Sequence, residues 1–186
     1  MGATFPFLIG EPRAETIRGF HATTQTMARQ VLAGADFVPS VGQGEWLGHG
    51  VYFWTDEKMA WWWADNRKLK SPAVIEARII LGYCLDLTNV LAVRAFVSAV
   101  HRKLVDDLGD AGPVLENDGD DRRLDCAVYN KAAKLTHPPV ESVLAHFAEG
   151  DPVFPGTTLR GRTHVQICVR NLSNICYPKD VGRRPV

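Results

Sequence analysis

Two short segments carry residues whose types and spacing are suited to binding a nucleotide. In residues 20–24, His21 stands at the end of a short apolar strand, where a helix begins. In residues 47–53, two glycines precede an apolar strand that carries Tyr52. Glycine lets the backbone approach a ligand closely because it has no Cβ, and a tyrosine on such a strand can lie flat against a planar ring. Together the segments predict a pocket for a nucleotide with an exposed aromatic ring.

Both segments match motifs of a known enzyme superfamily. Residues 21–23 (His-Ala-Thr) match a strand that ends in histidine, a small residue and Ser or Thr, and residues 48–53 match G-x-G-h-Y-F, where h is apolar. Residues 73–87, with Gly82 at a turn, match the strand pair that follows. From about residue 16 to 177 the chain resembles the ADP-ribosyltransferase superfamily, in the His-Tyr-Glu branch of diphtheria toxin and the poly(ADP-ribose) polymerases. Members split NAD at the nicotinamide bond and pass ADP-ribose to an acceptor.

The third functional residue of that branch is a carboxylate at the start of a late strand. Residues 166–175 match this segment with glutamine in the carboxylate position, so the implied triad is His21, Tyr52 and Gln166. The resemblance implies that His21 binds the adenine-side ribose and that Tyr52 stacks on nicotinamide, a contact worth roughly 1–3 kcal/mol. It also implies that the Ala22 backbone binds the nicotinamide amide and that Gln166 binds the 2′-hydroxyl of the nicotinamide ribose. The residues implied to contact NAD are His21, Ala22, Thr23, Gly50, Tyr52 and Gln166.

Glutamine at position 166 restricts the chemistry. Cleavage of the glycosidic bond passes through an oxocarbenium-like state, and a charge-assisted hydrogen bond is about twice as strong as a neutral one. Losing one stabiliser of transition-state charge costs on the order of 10²–10³ in rate. Because Gln166 cannot act as a general base, we expect one ADP-ribose unit to pass to an acceptor that is already nucleophilic, and not polymer growth on sugar hydroxyls. Glu45, in the loop before Tyr52, is the nearest candidate for a substitute carboxylate.

The composition is that of a globular protein. The chain has 186 residues, 46% hydrophobic and 23% charged, which suits one domain with a substantial core. Lys plus Arg and Asp plus Glu both number 21. A net charge of zero argues against a protein that holds nucleic acid by bulk electrostatics, although an acceptor nucleic acid met briefly is compatible with it.

The remaining composition signals concern compartment and metals. The four cysteines form no C-x-x-C pair, which favours reduced thiols and a cytoplasmic location. No apolar run predicts a signal peptide or a membrane span, so no membrane partner is expected. The histidines lack metal-ligand spacing, and we predict no metal.

Local signals predict elements that mix without regular βα alternation, which favours the α+β class. The predicted organisation is an N-terminal arm (1–15), a single catalytic domain (16–177) and a C-terminal tail (178–186). The resemblance implies a split mixed β-sheet, formed as two small sheets, with peripheral helices. Predicted strands are residues 16–21, 51–54, 73–81, 84–87, 163–169 and 175–177. One predicted helix follows a cap at Thr23 or Thr24, and a second begins at a cap at Thr55. Three more helices are predicted over residues 90–108, 124–135 and 140–148.

The function predicted from these observations is that of an NAD-dependent mono-ADP-ribosyltransferase with a protein, nucleic-acid or small-molecule acceptor. By family analogy the setting is that of a toxin or defence effector, with a partner antitoxin or immunity protein left open. Two alternatives use the same pocket. One is an NAD glycohydrolase, in which water replaces the acceptor. The other is a catalytically inactive module that binds NAD or ADP-ribose.

Overall fold

A computed structural model describes residues 10–182 and 184, and these residues form an α+β fold. Within them the chain forms nine strands, four α-helices and one short 3₁₀ segment. The elements are β1 (Arg13–Thr24), α1 (Gln25–Leu32), β2 (Val51–Trp54), α2 (Glu57–Asn66), β3 (Pro72–Gly82), β4 (Cys84–Asp86), α3 (Val90–Leu108), β5 (Asn117–Asp118), β6 (Asp121–Arg122), α4 (Arg123–Leu135), β7 (Ser142–Pro152), β8 (Arg160–Val169), the 3₁₀ turn Leu172–Asn174, and β9 (Ile175–Asp180).

Seven strands form one mixed sheet in the order β4-β7-β8-β2-β1-β3-β9. The β4–β7 pair is parallel, and the other pairs are antiparallel. Among the described residues, the single pair Phe20↔Trp54 joins β1 to β2, whereas β1 pairs with β3 from Arg13 to Thr24. The α+β class and the mixed sheet are confirmed. In place of two small sheets, the structure has two halves of one sheet that meet at a single residue pair, and a separate β5–β6 ribbon.

Three buried clusters hold these elements together. One lies between α1 and the middle of the sheet, around Phe53, Ile75 and Ile79. A second packs α3 and α4 against β4, β7 and β8. A third packs α2 against the junction pair Phe20 and Trp54. Each fully buried large apolar side chain contributes roughly 1.5–3 kcal/mol, so the weak ladder at the junction is reinforced by packing on both sheet faces.

Side-chain caps start the two helices next to this junction. Thr24 Oγ1 accepts a hydrogen bond from Met27 N at 3.4 Å, as one of the two predicted caps of α1. The predicted cap of α2 at Thr55 is wrong by one residue, because Asp56 Oδ1 accepts from Lys58 N at 2.9 Å. Thr55 N–H donates to Val165 O at 3.3 Å, which keeps Thr55 attached to the sheet.

The predicted helix over residues 140–148 is wrong. Residues 142–152 form β7, which pairs with β4 on one edge and β8 on the other. A strand in this central position is buried on both faces, so residues 142–145 are all buried and show no alternation. Periodicity cannot distinguish such a continuous apolar run from a buried helix segment.

The predicted ends of the domain also differ from the structure. Strand β1 begins at Arg13, within the predicted arm, where Arg13 Nη1 donates to Asp86 Oδ2 at 2.6 Å. Strand β9 extends to Asp180, within the predicted tail. Residues 1–9, 183, 185 and 186 lie outside the described residues. In the described part of the chain, no helix has the length and apolar character needed to cross a membrane.

Candidate functional site

A cleft of about 280 Å³ opens where β1 and β2 diverge beyond their single ladder pair. Five of the six residues predicted to contact NAD line it, and Thr23 lies outside this lining. One part of the lining, here called the histidine wall, is formed by residues 21–22 of β1, by Gly50 and by residues 51–52 of β2. A second part, here called the hairpin wall, is the face of β7 and β8 that carries Glu149 and Gln166. The predicted residues on the lining are His21, Ala22, Gly50, Tyr52 and Gln166.

His21 is held in one tautomer by the backbone of β2. Its Nδ1 lies 2.9 Å from Tyr52 O, and because a carbonyl oxygen only accepts, Nδ1 carries the hydrogen. Burial lowers the pKa of His21, so the ring is neutral at neutral pH. Its edges pack against Phe37 and Phe53, with ring centroids 5.3 and 5.5 Å away. The neutral ring therefore offers Nε2 as a hydrogen-bond acceptor for a hydroxyl group.

Ala22 follows the junction pair, at the point where the two strands separate. It pairs with Val74 of β3 on one side, and its side chain is buried. On the other side, β1 and β2 share no further ladder pair in the described register. The Tyr52 carbonyl, which faces this gap, is bound by the His21 ring. The backbone of Ala22 thus stands at an edge of the sheet that opens into the cleft.

Tyr52 joins the histidine wall to the glycine loop that precedes it. Its hydroxyl donates to Gly48 O at 2.7 Å and accepts from Leu47 N at 2.8 Å. Burial raises the pKa of Tyr52, so the hydroxyl stays protonated. The ring is half-buried and lines the cleft, so the same side chain fixes the loop and presents an aromatic surface.

The two glycines of the motif are needed for packing within the protein. A Cβ at Gly50 would lie 2.5 Å from Cys168 Sγ and 2.6 Å from Val169 O on β8. Gly48 has φ of +79°, and a Cβ there would meet the Asn130 amide at 2.7 Å and the guanidinium of Arg170. The sequence interpretation assigned these glycines to close approach of a ligand, whereas the structure shows that they admit the protein's own strand and side chains. Of the two, only Gly50 lines the cleft.

Gln166 is oriented by a histidine on its own strand. His164 Nδ1 lies 2.8 Å from Arg162 O, so Nδ1 carries the hydrogen and Nε2 is the ring nitrogen that can accept. Gln166 Nε2 lies 2.8 Å from His164 Nε2 and therefore donates to it. Both side chains are buried, and Phe147 stacks on the His164 ring at 5.8 Å. Because the amide nitrogen is committed to His164, the Gln166 side chain presents its oxygen, Oε1, for another partner.

Glu45, the predicted substitute carboxylate, also lines the cleft. Its Oε1 accepts a hydrogen bond from Ser40 Oγ. Ser40 is itself fixed to Gly50 by reciprocal backbone hydrogen bonds of 2.8 and 3.0 Å. Glu45 therefore stands beside the histidine wall with one oxygen already bound within the protein.

A second carboxylate in the cleft, Glu149, was missed by sequence reasoning. Its Oε1 is buried and has no hydrogen-bond partner among the described residues. Burial raises the pKa of Glu149, and the neighbouring His164, Arg162 and Arg122 only partly offset this. The alternation Ala145, Phe147, Glu149 along a strand would have revealed it, because cross-strand pairing sets these residues opposite Gln166, His164 and Arg162.

The Trp61–Trp63 run divides between the core and the cleft. Trp61 is buried, while Trp62 and Trp63 are half-buried and line the cleft. The guanidinium of Arg162 lies over the Trp62 ring, 4.7 Å from its centroid. Arg170 donates to Leu47 O at 3.2 Å and supports the glycine loop.

The described residues contain no group of three or more His, Cys, Asp or Glu side chains placed to hold a metal ion. The four cysteines are free thiols. Cys84, Cys126 and Cys168 are buried, and Cys176 is half-buried.

Comparison with known proteins identifies one distant relative. The chain is 33% identical over 79 residues to uncharacterized protein MJ0359 of Methanocaldococcus jannaschii, a match that covers 38% of this chain and 37% of that protein. The match thus spans well under half of either protein. No protein-family model matches the chain, and no solved structure matches it at a significant level.

Proposed function

We propose that this protein is an NAD-dependent mono-ADP-ribosyltransferase that cleaves nicotinamide from NAD and transfers ADP-ribose to a macromolecular acceptor. One observation carries the proposal. His21, Tyr52 and Gln166 come from three strands and span most of the chain, yet they line one cleft at the junction of the two sheet halves. They are the three residues that the motif resemblance selects as the functional triad.

The histidine wall supplies the groups needed to bind NAD. The Nε2 lone pair of His21 accepts a ribose hydroxyl, because Nδ1 is committed to Tyr52 O. The Tyr52 ring stacks on nicotinamide, and the Ala22 backbone at the open sheet edge binds the nicotinamide amide. At about 280 Å³ the cleft is at the small end of ligand pockets.

The hairpin wall supplies the group that faces the developing charge. Gln166 Oε1 accepts from the 2′-hydroxyl of the nicotinamide ribose, while its amide nitrogen is held by His164 at 2.8 Å. The glycosidic bond breaks with its electron pair leaving on nicotinamide, and the acceptor attacks the anomeric carbon. The neutral amide stabilises the cationic state less than a carboxylate would, which favours transfer of a single unit.

The biological setting follows from the family analogy alone. We propose action in the cytoplasm as a toxin or defence effector, with a protein or nucleic acid as acceptor. A partner antitoxin or immunity protein would fit that setting.

The test is incubation of the protein with labelled NAD and a cell lysate, with nicotinamide release and label on protein, RNA and DNA scored separately. Gln166→Ala should lower release by about 10²–10³-fold, because the ribose contact is lost. Gln30→Ala, on the exposed surface of α1, is the matched control and should leave release unchanged.

Label on a macromolecule would support the transferase. Nicotinamide release without label would replace it by an NAD glycohydrolase, and saturable NAD binding without release would replace it by a binding module. A protein that neither binds nor cleaves NAD would overturn the assignment of the cleft.

A further inference from the structure

We propose that Glu149 accepts the proton of the acceptor group, and that the acceptor is a neutral hydroxyl bound at the Glu149 end of the cleft. This inference rests on the proposed function and goes beyond it. It identifies a general base, a role that Gln166 cannot fill, and it names the chemical class of the acceptor. Gln166 alone predicted an acceptor that is nucleophilic without losing a proton. A general base at Glu149 instead allows a hydroxyl as the acceptor.

The strand register places Glu149 on the same face of the sheet as Gln166. Ala145 pairs with Gln166, Phe147 with His164, and Glu149 with Arg162. Paired residues project to one face, so the carboxylate and the amide both face the cleft, with the Phe147–His164 stack between them. Their Cα positions are four residues apart along the ladder, or roughly 13 Å. That span accommodates a bound ribose beside Gln166 and an acceptor hydroxyl between the ribose and Glu149.

The acidic residues of the cleft lining are Glu45, Asp120 and Glu149. Glu45 Oε1 accepts from Ser40, and Asp120 is exposed to solvent. Glu149 Oε1 is buried with no partner in the described residues. An unpaired buried carboxylate oxygen is costly, and a ligand hydroxyl that donates to it would remove this cost.

The charges around Glu149 select a neutral acceptor. The charged and titratable groups that face it are Arg162 and His164 on β8, Arg122 on β6, and Asp120 in the β5–β6 turn. Arg162 is fixed beside the carboxylate, because its guanidinium packs over Gly150 and the Trp62 ring. The two guanidinium groups balance the carboxylates of Glu149 and Asp120, so the site has no net negative charge to attract a lysine or arginine acceptor. A neutral hydroxyl needs no such attraction, but it does need a base.

The step balances without any further reactant. The acceptor oxygen forms a bond to the anomeric carbon of the nicotinamide ribose as the carbon–nitrogen bond breaks. The electron pair of the broken bond leaves with nicotinamide, which departs neutral. The hydroxyl proton passes to the Glu149 carboxylate and then to solvent. Burial raises the pKa of Glu149 and makes it a stronger base than an exposed glutamate.

The test measures nicotinamide release from NAD by the full-length protein with two small nucleophiles, methanol and azide. Methanol must lose a proton on attack, whereas azide has none to lose. Glu149→Gln should lower methanol-dependent release by about 10²–10⁴-fold, with an unchanged KM for NAD and azide-dependent release within a few-fold of wild type. Glu116→Gln, on the exposed surface, is the matched control.

A pH profile gives a second readout. Methanol-dependent release by the wild type should fall as pH drops through the raised pKa of Glu149, and Glu149→Gln should lack this limb. Unchanged methanolysis, or an equal loss with methanol and azide, would overturn the role of Glu149 while leaving the proposed function in place. A wild-type protein that releases no nicotinamide with either nucleophile would overturn the proposed function and this inference together.

Discussion

The two walls of the cleft are held in place by different kinds of contact. On the histidine wall, His21 and Tyr52 are fixed by hydrogen bonds to backbone atoms of β2 and the glycine loop. On the hairpin wall, Gln166 is fixed by the side chain of His164, and Glu149 Oε1 has no partner within the described residues. Hydrogen bonds to backbone atoms keep their geometry when neighbouring side chains change. Hydrogen bonds between side chains allow protons to change position, so the histidine wall suits binding and the hairpin wall suits reaction.

The largest expected effect breaks the histidine wall. Tyr52→Ala should abolish nicotinamide release and also lower the free energy of unfolding, by about 3–5 kcal/mol for loss of a packed aromatic side chain. Tyr52→Phe keeps the ring and loses only the hydroxyl contacts with Leu47 and Gly48, each worth about 0.5–1.5 kcal/mol. Thermal unfolding and NAD titration of both variants separate the two roles. Full activity of the folded Tyr52→Ala protein would contradict stacking on nicotinamide.

A smaller effect tests the adjustable contact on the hairpin wall. His164→Leu should reduce nicotinamide release by about fivefold, because the hydrogen bond of roughly 1 kcal/mol that orients the Gln166 amide is lost. Gln166→Glu alone should keep or raise release, since it restores a charge next to the ribose.

The double variant distinguishes orientation from packing. A carboxylate has two equivalent oxygens and needs no orientation, so in the Gln166→Glu background the His164→Leu change should have little effect on release. The measurement is a double-mutant cycle on kcat. Equal losses in both backgrounds would show that His164 acts only through packing against Phe147.

The smallest expected effect concerns Ala22. Ala22→Gly removes the Cβ at this position, and the backbone is expected to approach the nicotinamide amide more closely. The variant should bind NAD slightly more tightly and lose about 0.5–1 kcal/mol of stability, because glycine in a strand has greater freedom in the unfolded chain. Calorimetric NAD titration and thermal unfolding measure the two changes. Weaker NAD binding by a folded Ala22→Gly protein would argue against this backbone contact.

Much of the histidine wall could be predicted from local sequence signals. His21 at a strand end followed by a threonine cap, and glycines followed by the strand carrying Tyr52, are short patterns whose physics lies within about ten residues. The strands and helices around them were predicted for the same reason. The roles of Gly48 and Gly50 could not be inferred in this way, because the atoms they admit belong to α4 and β8, far along the chain.

The amino-acid sequence by itself determined which residue types were present for the proposed chemistry, and its motifs predicted His21, Tyr52 and Gln166 as the candidate triad. Tertiary structure alone decided what surrounds them. Residues 142–152 pair with β8 and form a central strand, although a helix was predicted over residues 140–148. The register of this pairing places Glu149 on the same face of the sheet as Gln166. The burial of Glu149, and the lack of a partner for its Oε1 among the described residues, follow from that pairing. Both depend on residues that are distant in sequence and become adjacent only after folding.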